Sequence, residues 1–403
     1  EFVMKFLNIF LSTGMAFTSL CVYSQNAPST STTGTGINPS ISLILSGGYN
    51  RSRQNPDDYK LTGFHQSTDA EGIKRGFSLG ETELGFYANI DPWWFGSAMI
   101  ALDSDGAISI EEAFVQTSRL GNGLTAKMGR HFSGIGYLNP QHAHTWDFID
   151  APLAYQAFLG GQLKNDGVRM SWLMPTDQFV QLGLEVGQGN GFPSSNANQN
   201  KIGHSALTLH TGGDIGPSHN WRAGISSAQI KATDLSLMVD NFSNESKSSL
   251  FSGNTQLLVL DGVWKWAPNG NTSRNSFQLQ GEYIKSKRSG HLTLDTLGTN
   301  ITHALSLPQS GWYLQSVYQF QPLWRAGIRV ERLDSGTPVY AANALGGTQY
   351  NPSKNTALLE WRKSEFSKFR AQIANDYSRE GAPDRIISLQ YQMSLGAHRA
   401  HSY

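Results

Sequence analysis

Ile387-Ser388-Leu389-Gln390-Tyr391-Gln392-Met393-Ser394-Leu395 decides how the rest of the chain is read. Every second residue is apolar and every residue between is polar, a period of two that an extended strand turns into two unlike faces. The same split separates Val180, Leu182, Leu184 and Val186 from Gln181, Gly183 and Glu185. It also separates Ala326, Ile328 and Val330 from Arg325, Arg329 and Glu331. Such a strand covers a soluble core with its apolar face, or it turns that face to lipid and its polar face to a water-filled interior. Alternation alone does not choose between the two.

The connections choose. Short turns fall at Asp91-Pro92, Gly121-Asn122-Gly123, Pro175-Thr176-Asp177, Gly212 to His219, Pro268-Asn269-Gly270, Gln321-Pro322 and Lys363 to Ser367. Between them lie long polar stretches: Arg51 to Phe77, Phe132 to Leu159, Gly189 to Gly203, Lys231 to Asn254, Arg288 to Pro308 and Asp334 to Ser353. Short turns at one end and long loops at the other are the mark of a membrane barrel. Eight of the ten tryptophans, Trp93, Trp94, Trp172, Trp221, Trp264, Trp266, Trp324 and Trp361, sit at or near the short turns. Half-wet indole rings belong at a membrane interface, and a soluble sandwich has no reason to gather them at one end. The expected fold is all-β: a transmembrane antiparallel β-barrel of about sixteen strands, an even number as closure requires, porin-like in build.

The composition agrees. Only 39% of residues are hydrophobic and the mean hydropathy is −0.34, which excludes a helical membrane protein, while 42 glycines and 11% aromatics suit many short strands and turns. Lys and Arg number 31 against 31 Asp and Glu, so nothing marks a nucleic-acid partner. At the N-terminus Lys5 precedes an apolar run from Phe6 to Leu20, with small or β-branched residues at Val22 to Ser24. This is a secretory signal peptide over residues 1–24, with 1–3 as an upstream extension before Met4, cut after Ser24. Cys21, the one cysteine, lies within it, so the exported chain carries no disulfide. A polar spacer covers 25–37 and the barrel 38–403. Tyr403 provides an aromatic end just past the last strand, where barrels carry their assembly signal.

GFSLG, Gly76 to Gly80, matches the G-x-S-x-G nucleophile elbow, but that motif needs a strand before its serine and a helix after it. Here a long polar loop leads into Ser78 and a strand follows, so no enzyme is expected. Of eleven histidines, the densest group is His131, His142 and His144. Two imidazoles at i and i+2 with Asp147 or Asp150 as oxygen donors suit Zn²⁺, and His142 and His144 are the candidate metal ligands. The bland alternative is a set of hydrogen bonds within a folded loop. His398 and His401 form a second pair near the C-terminus, and His204 and His210 share a lumen-facing strand face. Trp146, Phe148, Tyr155 and Phe158 in the loop from Phe132 would be unstable in solvent, so this loop is expected to fold inward and narrow the pore, the alternative being that they form the footing of an exposed loop. Inward folding places His131, His142, His144, Asp147 and Asp150, with Arg325 and Arg329 of the wall, as constriction candidates. Lumen charges of both signs, including Glu185, Arg222, Glu282, Glu331, Glu360, Arg362, Arg370 and Asp376, predict weak ion preference.

Several stretches resemble a proteobacterial family of outer-membrane proteins often labelled zinc-regulated TonB-dependent outer-membrane receptors, related more loosely to phosphate-selective porins. They are GFSLGETELGFYANIDP from Gly76, EEAFVQT from Glu111, GRHFSGIGYLNPQHAHTWDF from Gly129, PLAYQAFLGGQ from Pro152, WRAG from Trp221, WKWAPNGN from Trp264 and MSLGAHRAHSY from Met393. The resemblance implies an outer-membrane barrel of a Gram-negative cell, expressed under zinc limitation, with a role in zinc entry. A TonB-dependent transporter carries about 22 strands around a plug, which a chain of 403 residues cannot supply, so TonB is not an expected partner. The expected partners are outer-membrane lipid and lipopolysaccharide, the barrel-assembly machinery, and a small solute or metal ion. No cofactor is required; Zn²⁺ is the candidate bound or transported ion. The competing class is a closed barrel acting as a surface binding protein or adhesin through its long loops.

Overall fold

The structure, a computed structural model, describes residues 39–67, 72–80, 82–102, 106–195, 200–240, 245–337, 339–340 and 349–396. The signal peptide, the polar spacer, His398, His401 and Tyr403 lie outside these residues. Nearly all of the described chain is extended, and nineteen strand segments join in one sheet. Two of these are short pieces given by loops: Gln66–Ser67, paired with the strand His219–Asp240, and Val339–Tyr340, paired with Ile301–Gln321. Gly76–Leu79 and Thr82–Asn89 both pair with Ser40–Arg51 and form one wall strand interrupted at Gly80. The first strand, Ser40–Arg51, also pairs antiparallel with the last, Asp384–Gly396, from Ser42 opposite Gly396 to Arg51 opposite Ile387. The wall is therefore a closed antiparallel barrel of sixteen strands, with every ladder edge paired. Among the described residues no helix is long and apolar enough to cross a membrane.

Polarity is inverted relative to a soluble protein. Leu184, Ile328 and Leu389 point outward and are 49%, 59% and 51% exposed, while Glu185, Arg329 and Ser388 beside them are buried. A soluble sandwich would bury the leucines and wet the charges; this wall is built for lipid outside and polar groups inside. At the short-turn end the aromatics form a belt. Trp324 lies opposite Trp361 and Trp221 opposite Trp264. The rings of Trp324, Trp361, Phe369 and Tyr391 follow one another across four strands at centroid separations of 6.3, 5.7 and 4.4 Å. Such pairs add about 0.5–1.5 kcal/mol each beyond their area.

Two of the expected long loops are corrected by the structure. Lys231 to Asn254 and Arg288 to Pro308 are mostly strand, because His219–Asp240, Ser246–Trp266, Ser276–Leu294 and Ile301–Gln321 run on as tall hairpins. The first has 22 residues, roughly 70 Å at strand rise, far beyond the ten or so residues that cross a bilayer. The reason is a second apolar face: Leu235, Leu237, Val239, Phe251, Leu292, Leu294, Leu305 and Leu307 pack into one buried cluster. Their polar neighbours had masked the alternation. The stretches 52–75, 133–163, 188–203 and 335–352 are true long connections. Replacing Ile328 by Arg on the lipid face is expected to cost about 2–4 kcal/mol near the bilayer midplane. Urea unfolding in lipid vesicles measures it, with Gln315→Asn on the inner face as the milder comparison.

Candidate functional site

The segment 133–163 leaves the strand Leu124–Phe132 at the long-loop end and folds down into the lumen. Its apolar side chains need cover, and they find it on the inner wall. Ile135, Leu138, Leu153, Tyr155, Phe158 and Leu159 pack against Ala206, Ala228, Ile230, Leu257, Val259, Ile284 and Leu333, and against Leu61 and Phe64 from residues 52–75. Each fully buried large side chain of this kind contributes about 1.5–3 kcal/mol. The lumen face is therefore not polar throughout: where the segment rests, the wall is apolar, which a strict alternation of lipid-out and polar-in does not anticipate. The aromatics expected to turn inward do so, with Trp146 and Phe148 at 6% and 1% exposure.

The local backbone is shaped for this position. The one α-helix among the described residues, Leu153–Leu159, ends at Gly160, whose φ of 63° closes the last turn in the left-handed conformation that glycine takes without strain. Its first amide, Leu153 N–H, donates to Glu331 of the wall at 2.5 Å, a carboxylate at the positive end of the helix. At Gly136, φ is +66°, and a Cβ there would lie 2.2 Å from Glu282 Oε2. That carboxylate accepts from Leu138 N–H at 2.9 Å and from the hydroxyls of Tyr155 and Tyr313. On the neighbouring wall Glu185 accepts from Ser133 Oγ at 2.7 Å and Gly134 N–H at 2.6 Å.

The charged candidates separate into two anchors. On one side Asp147 pairs with Arg325, which also reaches Glu360 at 3.1 Å. Asp150 meets Arg329 at 2.9 Å, pairs with Lys354 and accepts from Gln372 at 2.7 Å. Burial opposes ionisation of Asp150, but Arg329 and Lys354 overcome it and hold its carboxyl below the usual carboxylate range. Arg370 donates to the backbone carbonyls of Trp146 and Asp147, and Lys368 to that of His144. The guanidinium of Arg329 also lies 4.7 Å from the centre of the Phe148 ring.

On the other side His142 and His144 meet the acidic wall. His144 Nδ1 is 2.6 Å from Glu83 Oε1. His142 Nε2 is 3.0 Å from Glu112 Oε2, and its Nδ1 is 3.4 Å from Glu111 and 3.5 Å from Glu83. Burial works against a charge on His142, yet the hydrogen bonds to Glu111 and Glu112 and the field of Glu83 outweigh it and raise its pKa well above the ordinary imidazole range. Two expectations are corrected here. Asp147 and Asp150 are not the histidines' oxygen donors: Asp147 pairs with Arg325, and Asp150 with Arg329 and Lys354. His131 does not join the pair: it is fully buried at the end of its strand, with Nδ1 3.0 Å from Gly129 O. The carboxylates that do surround the histidines, Glu83, Glu111 and Glu112, come from strands whose register sequence spacing does not reveal. Their one signal is acidic residues on the polar face of an alternating strand.

The segment divides the interior. A cavity of about 630 Å³ at the long-loop end is lined by Tyr59, Ala151, Gln156 and Lys354 among others. A second, of about 1100 Å³ at the short-turn end, is lined by Glu112, His142, His144, Asp147 and Arg325 among others. No lining residue is common to the two. Ser78, the expected non-nucleophile, sits inside a strand opposite Gly48; no strand-to-helix elbow surrounds it.

No family model matches the chain. It is 28% identical over 392 residues to an uncharacterized protein of Aquifex aeolicus (strain VF5), covering 91% of this chain and 80% of that one. Similar solved structures include OprB of Pseudomonas putida at high pH, with TM-score 0.55, 14% identity, and 89% and 94% of the two chains covered. The outer membrane channel DcaP of Acinetobacter baumannii gives 0.53, 10%, and 89% and 98%. A loop-deletion variant of OmpT, an outer membrane protein of Vibrio cholerae, gives 0.53, 9%, and 88% and 98%. At these identities the likeness establishes the fold, that of the outer-membrane porins.

Asp150→Asn removes the carboxylate that Arg329 and Lys354 share and leaves them only Glu331 and Asp376 of the wall, a loss expected to cost about 3–5 kcal/mol and to loosen 133–163 while the wall stays closed. Limited proteolysis in detergent should then cut between Asn139 and Gly161, whereas the wild-type segment resists.

Proposed function

We propose that this chain is an outer-membrane channel of a Gram-negative cell that passes small hydrophilic solutes, with residues 133–163 as its constriction. The observation that carries the proposal is a polar-lined closed barrel holding a folded segment between two vestibules of about 630 and 1100 Å³ at its two mouths. A wall alone would be a scaffold; a segment held in the lumen by opposed charges sets what passes. Export through the leader 1–24 fits a chain that must reach the outer membrane.

For cargo we infer Zn²⁺ or a small zinc complex as the specific candidate within the hydrophilic class. His142 and His144 border the short-turn vestibule, and imidazoles among carboxylates are donors this ion accepts. Lumen charge of both signs, with Arg325, Arg329 and Lys354 facing Glu83, Glu111 and Glu112 across the segment, supports weak preference between cations and anions. The size of the barrel supports passage without TonB.

Refolded protein in a planar bilayer is expected to give discrete conductance steps, and Asp150→Asn or Arg325→Ala to give larger or noisier ones. A barrel that is folded by heat-modifiable migration yet electrically silent, in wild type and both variants, would overturn the channel reading and favour a surface binding protein working through its outer loops.

A further inference from the structure

The anchor between the segment 133–163 and the acidic wall gathers three carboxylates around two imidazoles. Glu112 accepts from His142 Nε2 at 3.0 Å. A neutral imidazole that donates from Nε2 keeps a lone pair on Nδ1. That Nδ1 faces two carboxylate oxygens, Glu111 Oε2 at 3.4 Å and Glu83 Oε2 at 3.5 Å. Three carboxylates, Glu83, Glu111 and Glu112, converge on two imidazoles here, and the positive group that answers them at Nδ1 is a proton or, in its place, a metal ion.

The two wider separations also suit ligand atoms around one metal ion. Bonds of about 2.0–2.1 Å to nitrogen and oxygen put the ligand atoms of a tetrahedral ion about 3.4 Å apart, close to the two separations found. N–H···O bonds are commonly about 2.9–3.0 Å. His144 adds a second imidazole, its ring stacked on that of His142 at 5.5 Å between centroids. One ligand atom each from Glu83, His142 and His144 lies within 4.8 Å of the others. Glu83, Glu111, Glu112 and His144 are nearly or fully buried, so their charges cannot be screened by bulk water. The short-turn vestibule reaches His142 and His144 and gives an ion its path in.

We propose that Glu83, Glu111, His142 and His144 form a binding site for one divalent transition-metal ion, with Glu112 orienting His142 through its Nε2–H. The arrangement of carboxylate, histidine and metal is the one that fixes ring tautomer and orientation in metal sites. Occupancy exchanges the proton on His142 for the ion, and closing the site turns Glu83 Oε1 away from its 2.6 Å contact with His144. Glu83 lies on Thr82–Asn89, Glu111 on Ile108–Thr117, and both histidines on the crossing segment. The ion therefore clips the segment to the wall, opposite the Asp147 and Asp150 anchor. The clip rests on reading 133–163 as the constriction; the site itself does not.

Co²⁺ is the probe, added to refolded, metal-free protein. Wild type is expected to bind one ion per barrel with the strong visible absorption of tetrahedral cobalt. H142A and H144A should each lose at least about tenfold in affinity, E83Q a similar amount, and E112Q about 10–100-fold through misorientation of the ring. H219A, a vestibule histidine outside the cluster, should bind as wild type does. Folding of every variant is checked by heat-modifiable migration, and because H144A leaves the bond from His142 to Glu112 intact it remains informative if H142A fails to fold. No uptake by folded wild type, or equal uptake by wild type and H144A, overturns the site. Conductance recorded with and without Co²⁺ separates the two readings. Binding without current leaves the site and sinks the channel, and current without binding does the reverse.

Discussion

A barrel that turns its apolar residues to lipid must bury its polar ones, and the structure depends on how that debt of unpaired charge inside the wall is met. Glu83, Glu185, Glu282, Arg329, Glu331 and Glu360 are all nearly or completely buried. Water could satisfy them in an open pore. Here most are met by residues 133–163, which bring backbone amides to Glu185, Glu282 and Glu331 and carboxylates to Arg325 and Arg329. The same segment covers the apolar part of the inner wall. Neither component would hold alone: the segment has too little core of its own, and an empty wall would leave isolated charges at low dielectric.

The outer surface follows from the same constraint. Because polar groups are used up inside, exposed leucine and isoleucine are acceptable only where solvent is lipid, and the aromatic belt from Trp324 to Tyr391 marks where that solvent ends. The four tall strands go past it. Above the belt and the lipid band their inner residues become leucine, valine and phenylalanine, which pack into a buried cluster of their own with Phe192 against it. Gln66–Ser67, paired to Leu237 and Met238, ties residues 52–75 into this upper layer.

Much of this was legible in the sequence. Alternation in 387–395, the short turns and the clustered tryptophans each report a local property, a face or an interface, and local properties survive translation from sequence to structure. Inward folding of the loop was readable for the same reason, since Trp146, Phe148, Tyr155 and Phe158 cannot stay in water. The tall hairpins were missed because Ser, Lys and Asn between Leu235 and Phe251 gave the stretch a loop composition while Leu235, Leu237, Val239, Ser249 and Phe251 stayed buried. The partners of the histidines were missed for a different reason. His142 stands 31 residues from Glu111 and His144 stands 61 from Glu83, and only the register of the closed sheet brings them together. Asp147 and Asp150, near in sequence, are taken by Arg325, Arg329 and Lys354 through the strength of charge-assisted pairing across the lumen.

The two anchors act on one rigid piece. Between His144 and Asp147 there are two residues, Thr145 and Trp146, and Trp146 is buried with its indole N–H donating to Gln141 O at 3.0 Å. A change at the acidic wall therefore reaches the basic wall through a stretch too short and too well packed to absorb it. Lys368 and Gln392 make the link direct, since both donate to the carbonyl of His144 at 2.8 and 3.1 Å from strands on the basic side. What sits at His142 and His144 thus bears on where Asp147 lies against Arg325. The segment is held as one piece between the histidine–glutamate contacts at one end and the aspartate–arginine pairs at the other.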